Sequence, residues 1–344
     1  MTNRATAAGS AREIVETAQD WLASHGRVAL ATVVDTWGSA PVPIGSQMVI
    51  AADDAFAGSV SGGCVEADVI AEAAEVLADG RARVLSFGVA DETAWAAGLP
   101  CGGNMRVLVQ RLTREGDGRE INTIIYALRR RLPLVVATQL ADGRRQLVRD
   151  DAEVTANDPP GEVVAQALRD GASRLLVTER GEVFVHALMP RPRVVIVGAT
   201  HIAQELCALA RITGYEATVV DPRSAFATPE RFPGTPIIAE WPEEALARIA
   251  PDRATAIVVV AHIAHIDDQA LIAALRSHVR YVGALGSKRN HAKRTARLAA
   301  AGFSREEIAR IHAPVGLDIG ARTPAEIAIS VMAEIIQAFR GKRR

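Results

Sequence analysis

VVIVGATHIAQEL, residues 194–206, is four β-branched apolar residues running into a glycine and then a helix-like apolar spacing. That is the signature of a buried strand turning into a helix. EATVVD, TPIIAE, TAIVVVAH and YVGALGS repeat the strand half of the pattern further along, each separated by a helical stretch. Short strands that are apolar throughout and alternate with helices indicate a parallel sheet covered on both faces. Residues 191–344 therefore read as a doubly wound α/β domain, closed by the helix PAEIAISVMAEIIQAF.

At the strand-to-helix turn a dinucleotide-binding domain would place three glycines, and here the fingerprint is degenerate. Gly198 fits the tight turn, Thr200 stands where the second glycine admits a pyrophosphate, and Ala203 takes the third position. His201 opens the helix, Asp221 ends the next strand at the distance of a ribose-binding acid, and Arg223 follows two residues on. The pattern fits either NAD(P) binding or a retained fold with an altered ligand. A second candidate is GALGSKRNHAKRTARL, residues 283–298, where Ser287, Lys288 and Arg289 open a basic helix. Such a helix start suits a phosphate, because its N–H groups and dipole favour anions, although a solvated basic face has the same appearance. His262 and His265 follow the fourth strand without the acidic partner of a zinc-protease helix, so His262 is expected to line the strand-end crevice rather than bind metal.

The N-terminal part is organised differently. REIVETAQDWLASHG reads as a helix ending at Gly26, RVALATVVDT as a strand, and WGSAPVPIGS as a loop. QMVIAADDAFAGSV reads as two short strands, and GSVSGGCVEADVIAEAAEVL as a glycine turn delivering Cys64 to a helix that ends at Gly80. ARVLSFGV and MRVLVQRL are further strands, separated by a loop that contains GLPCGGN. EGDGRE reads as a linker or turn, followed by the helix INTIIYALRRR and the strands LPLVVATQL and GEVFVHALM. The opening twelve residues are small and polar and read as disordered. The boundaries expected are 13–112 for an N-terminal α/β domain, 113–190 for an intermediate segment packed with it, and 191–344 for the sheet domain.

Two of the three cysteines stand beside Gly-Gly pairs: Gly62, Gly63 and Cys64 in one loop, Cys101, Gly102 and Gly103 in the other. A thiol at a helix N-terminus is biased toward thiolate, and the glycines would leave backbone N–H groups free for a ligand. Cys64 and Cys101 are thus candidate contacts to a soft metal, whereas Cys207 within ELCALA reads as a small core residue. With three cysteines in 344 residues the chain has no disulfide framework. A net charge of −1 excludes a general nucleic-acid or anionic-membrane binder, and the sequence offers neither a membrane span nor a signal peptide, so a cytoplasmic location is expected.

The phrases GSAP with IGSQMVI, GSVSGGCVE, GLPCGGN, VVIVGATHIA, VVDPRSAFATPERFP, YVGALGSKRNHAKR and IHAPVGLDIGARTPAEIAIS together closely resemble the xanthine dehydrogenase accessory protein (XdhC/CoxI) family. The resemblance implies an N-terminal mixed α/β domain and a Rossmann-like second domain. It also implies a maturation chaperone that binds molybdenum cofactor, assists its sulfuration with a cysteine desulfurase, and inserts it into a xanthine dehydrogenase-type molybdenum hydroxylase. Self-association as a homo-oligomer is implied too. The cargo is an anionic pterin with a phosphate and a thiophilic metal, so a thiol loop and a basic crevice suit its chemistry. The chain departs from the pattern at Val42, where members carry Arg, at Thr200, where they carry Gly, and at Ala261, His262 and Ile263, where they read Thr-His-Asp. The competing functions are an NAD(P)-dependent oxidoreductase and a nucleotide-binding regulatory module. A dehydrogenase does not require the glycine–cysteine pair, and no acid–base dyad for hydride transfer stands out, whereas a regulatory module would explain the degenerate fingerprint.

Overall fold

The computed structural model describes residues 10–38, 40–88, 103–149 and 160–341, and divides into two units at Pro190 and Arg191. In the first unit, α1 (Ala11–His25) opens on a capping box made by Ser10 and Glu13 and stops at Gly26 in the left-handed conformation. The cap corrects the reading of residues 10–12 as disordered: Ser10 accepts the Glu13 N–H while the Glu13 carboxylate accepts the Ser10 N–H. The strands β1 (Arg27–Trp37), β2 (Gln47–Ile50), β3 (Phe56–Gly58), β4 (Arg83–Phe87) and β5 (Asn104–Thr113) form one sheet in the order β3-β2-β1-β5-β4. β1 pairs antiparallel to both β2 and β5, with Trp37 opposite Asn104 and Arg27 opposite Thr113.

The helix α2 (Glu66–Asp79) lies on this sheet, its Val69, Ala73, Val76 and Leu77 packed against Ala31, Val33, Val107 and Val109. Residues 115–120, EGDGRE, are helical rather than a linker, because α3 (Arg114–Arg129) begins directly after β5. Two features outweigh the helix cost of Gly116 and Gly118. Thr113 caps the helix by accepting the Gly116 N–H, and Asp117 accepts the Thr113 N–H at 2.6 Å. A second sheet follows, β6 (Leu134–Gln139), β7 (Arg145–Arg149), β8 (Arg174–Thr178) and β9 (Gly181–Leu188), in the order β7-β6-β9-β8, with α4 (Gly161–Asp170) on one face. Val34, Leu108, Leu140 and Phe184 join the two sheets in a buried cluster.

The second unit is a six-stranded sheet of β10 (Arg193–Val197), β11 (Glu216–Val220), β12 (Ile237–Ile238), β13 (Thr255–Val259), β14 (Tyr281–Ala284) and β15 (Ile311–His312). All its pairings are parallel and its order is β12-β11-β10-β13-β14-β15. On one face lie α6 (Pro242–Ile249), α7 (Ala264–Leu275), α8 (Lys288–Ala300) and the short α9 (Arg305–Ile308). Helices α5 (His201–Ile212) and α10 (Pro324–Arg340) cover the other. The alternating residues of β10 show why both faces must be covered: Val194 and Ile196 enter one core, Val195 and Val197 the other, all fully buried. The order reverses between β10 and β13, which in such sheets opens a crevice at the carboxyl ends of the strands.

Candidate functional site

The N-terminal loop is built around Glu66, the first residue of α2. Its buried carboxylate accepts the N–H groups of Val60 (3.2 Å), Ser61 (2.9 Å) and Gly63 (2.9 Å), together with the Ser59 hydroxyl at 2.6 Å and the Ser61 hydroxyl. Ser59 Oγ accepts the Gly62 N–H and Ser61 Oγ those of Cys64 and Val65. The expectation of free N–H groups in this loop is therefore corrected: every amide from Val60 to Val65 is spent on holding the turn. Burial pushes the Glu66 carboxyl up, but the Ser59 and Ser61 hydrogen bonds outweigh it and bring it down to about 2.

That internal satisfaction fixes the position of the residues outside it. Gly62 and Gly63 have φ of 76° and 113°, and neither would meet another atom within 4 Å if it carried a Cβ. Cys64 is a free, exposed thiol two residues before the helix. Sequence reasoning missed Glu66, Ser59 and Ser61, although the signal was present as two hydroxyls and an acid flanking Gly-Gly.

Cys101 and Gly102 lie outside the described residues. Gly103 immediately precedes β5, and strand register places it at the same edge of the sheet as the Cys64 loop. The helix α2 spans the sheet between the two edges: it starts after β3, whose Gly58 pairs with Met48, and ends at Gly80, against Arg111 near the opposite edge. Phe87 pairs with Met105, so β4 returns to the edge from which β5 starts. Inside this unit a mostly apolar cavity of about 40 Å³, with Thr32, Gln47, Gln110, Thr138 and His186 among its lining residues, has room for water only, far short of the roughly 300 Å³ and more of small-molecule sites.

In the second unit, register aligns Val197 with Val220 and Val259, and Val259 with Ala284. Gly198, His201, Asp221, Arg223, His262, Ser287, Lys288 and Arg289 thus all belong to the carboxyl edge of one sheet. Gly198, at φ 113°, serves backbone packing: a Cβ there would stand 2.3 Å from Ala261 N. Thr200 is the N-cap of α5 and accepts the Ala203 N–H, and His201 is exposed in the first turn.

Asp221 is fully buried and accepts from Ala199 N–H (2.7 Å), Arg223 N–H (2.9 Å), Arg223 Nε (2.9 Å) and Arg223 Nη2 (2.6 Å). Burial pushes its carboxyl up, but the bonds from Arg223 and Ala199 prevail and leave it below the usual aspartate value. Ser287 caps α8, with Lys288 and Arg289 exposed beside it. The basic helix is less free than its sequence suggests, since Arg294 is buried against Asp267 at 3.1 Å and Arg297 pairs with Asp268. His262 is exposed with φ 58°, and among the described residues no three metal-ligating side chains gather. Cys207 is buried in α5, where burial pushes its thiol up to about 11.

An α/β unit presenting an anchored glycine–cysteine turn, followed by a doubly wound unit with a modified dinucleotide-binding turn, defines the class. The XdhC Rossmann domain matches residues 194–335 and the XdhC and CoxI family matches residues 21–88. The chain is 31% identical to the Molybdenum cofactor insertion chaperone PaoD of Escherichia coli (strain K12), over 94% of this chain and 87% of that protein. It is 30% identical to a probable xanthine dehydrogenase subunit of Bacillus subtilis (strain 168), over 92% and 94% of the two chains. A crystal structure described as that of a xanthine dehydrogenase from Bacillus halodurans superposes with a TM-score of 0.74 at 25% identity, covering 98% of this chain and 97% of that one. The chain belongs to the XdhC and CoxI family.

Proposed function

We propose that the protein is a molybdenum-cofactor maturation chaperone that holds the cofactor, presents it to a cysteine desulfurase for sulfuration, and inserts it into a xanthine dehydrogenase-type molybdenum hydroxylase in the cytoplasm. The observation that carries the reading is the Cys64 turn: an exposed thiol on two positive-φ glycines with open space in front, held from behind by Glu66. A soft sulfur donor on a rigid, sterically open turn suits a thiophilic metal bearing a bulky ligand. Cys101, with Gly102 and Gly103, is the proposed second thiol, in the sequence segment that leads into β5. The residues present fit the cargo, whose metal takes sulfur donors and whose phosphate takes Arg, Lys and helix N–H groups. In the second unit Ser287, Lys288 and Arg289 at the start of α8, with His201 and His262 nearby on the same edge, are the proposed anion-binding groups. The name carried by the PaoD relative supports the same reading. The proposed assembly is a homo-oligomer.

The test is retention of cofactor by protein purified from cells that make it, together with activation of a co-expressed molybdenum hydroxylase. Cys64→Ala and Cys101→Ala should each stay folded and lose retention or activation, while Cys207→Ala should keep both. Full retention and activation by a folded Cys64→Ala, Cys101→Ala protein would overturn the thiol site. Lys288→Ala with Arg289→Ala should lower retention, and unchanged retention would return α8 to an ordinary solvated helix.

A further inference from the structure

At the end of the second strand of a dinucleotide-binding sheet an acid ordinarily accepts the two hydroxyls of a ribose. Asp221 occupies that place, yet its four donors come from the protein: the amides of Ala199 and Arg223 and two nitrogens of the Arg223 guanidinium. A ribose diol would have to displace the Arg223 guanidinium, trading two charge-assisted bonds of an ion pair to a fully buried carboxylate for two neutral hydroxyls. The guanidinium is held on its other side as well, 4.5 Å over the ring of Phe226, whose side chain is 46% exposed. Its Nη1 edge has no protein acceptor among the described residues. Arg231 adds a second cation 5.8 Å from the same ring. Arg231 is fixed by donating to the carbonyls of Ala199 (2.9 Å) and Phe226 (2.6 Å) and has no acidic partner among the described residues. The carbonyl of Arg231 in turn accepts from Gln204 of α5, so the element is tied to the first turn of the sheet domain. An arginine held in a fixed fork and a second, unpaired arginine, both bracing an exposed aromatic ring, form a surface for an anionic, planar-sided ligand.

We propose that this subsite recognises a phosphate group and not a ribose diol, with Asp221 as the positioning residue that presents Arg223 and with Arg231 as the second cation. The inference rests on the reading that the carboxyl edge of this sheet is the ligand site, and it names the chemistry that site takes. The phosphate could belong to a pterin or to the 2′-position of NADP, and both are tested.

The experiment measures binding of inorganic phosphate, NAD⁺ and NADP⁺ to the full chain by calorimetry or NMR at constant ionic strength. Saturable phosphate binding with none for NAD⁺ is expected, and Arg223→Ala should weaken phosphate about tenfold or more, the scale of a lost charge-assisted pair. Asp221→Asn gives the sign that separates the readings. Removing a negative charge beside an anion should tighten phosphate if Asp221 is only a nearby charge. It should weaken phosphate severalfold if Asp221 holds Arg223 in place. Arg223→Lys is the safeguard against a misfolded Asp221 variant: it keeps the charge and loses the fork, and should also bind severalfold more weakly. NADP⁺ binding tighter than phosphate and lost in Arg223→Ala supports the proposal and assigns the phosphate to a nucleotide. NADP⁺ no tighter than phosphate supports it with a free or pterin phosphate.

Wild-type binding of NAD⁺ that Asp221→Asn abolishes would overturn the proposal, as would unchanged phosphate affinity in Arg223→Lys. No molybdenum cofactor enters this assay. Absence of phosphate binding to the unmodified chain therefore counts against the subsite alone, and lack of molybdenum-cofactor retention by that chain with phosphate binding intact counts against the chaperone reading alone.

Discussion

In the turn between β3 and α2, Gly62 and Gly63 face open space, whereas in the turn between β10 and α5 Gly198 lies against the backbone of Val260 and Ala261. Both turns carry positive φ, both lead from a strand into a helix, and in the sequence both resemble ligand loops. The difference lies in what is missing beside each glycine. At Gly198 the absent side chain makes room for protein, so the glycine closes the fold. At Gly62 and Gly63 it makes room for something outside the chain, while Glu66 supplies the hydrogen bonds that the turn needs to stand without a ligand.

The comparison breaks most decisively at Gly198. A Cβ 2.3 Å from Ala261 N, on a residue whose φ of 113° disfavours any side chain, forces the β13–α7 loop to move. Gly198→Ala should cost about 3 kcal/mol or more, the sum of overpacking and backbone strain. Calorimetric unfolding of the full chain would show a lowered transition, and a wild-type transition would remove the packing role given to this glycine.

Glu66→Gln comes next and is read through pH. The folded carboxyl sits near 2, below its unfolded value, so its contribution is complete above the ordinary glutamate range and is lost as pH falls from about 4.5 toward 2. A shift of that size corresponds to about 3 kcal/mol at neutral pH. Urea unfolding at pH 7, 4 and 2.5 should show wild type ahead at pH 7 and the two proteins converging in acid. A gap that does not change with pH would mean that the charge on Glu66 does not hold the loop.

Gly63→Ala sharpens the contrast with Gly198. With nothing within 4 Å of a new Cβ, only the backbone conformation resists the change, at about 1–2 kcal/mol. The stability loss should be smaller than at Gly198, while cofactor retention should fall because the methyl occupies the approach to Cys64. The opposite ranking of the two alanine variants in stability would invert the comparison.

The parallel sheet was legible because burial on both faces forces unbroken apolar strands such as VVIV and AIVVV, and the residues of β10 divide cleanly between two cores. The helical EGDGRE segment was not, because Gly116 and Gly118 argue locally for a turn, and the Thr113 cap that offsets them is joined by ion pairs from Arg145 of a later strand to Asp117 and Glu120. The site was legible in residue type more than in role. Asp221 and Arg223 stood out as a ribose acid and a neighbouring cation, yet that they bond each other depends on a side-chain geometry that spacing does not specify. Glu66 looked like an ordinary acid in the first turn of a helix, which the helix dipole alone would explain. Only the fold shows six donors from the preceding residues converging on its two oxygens.

The smallest expected effect on stability, and the one closest to function, concerns the thiols. Cys64 is exposed on the open turn and Cys207 is sealed between α5 and the sheet, where burial pushes its thiol up to about 11. The attacking species is the thiolate, so a group that ionises only near 11 and is covered by protein reacts slowly at pH 8. Iodoacetamide labelling of the native protein, with each cysteine read on its own peptide by mass spectrometry, should mark Cys64 at least about 100-fold faster than Cys207. Added denaturant should erase the difference. Cys64→Ala should change unfolding stability by no more than about 0.5 kcal/mol, as for an exposed side chain outside any network. Comparable labelling of Cys207 in the native protein would show that α5 opens readily and would remove the distinction between a packing thiol and a presented one. A large stability loss in Cys64→Ala would mean instead that the thiol supports the turn, leaving Glu66 as only part of what holds it.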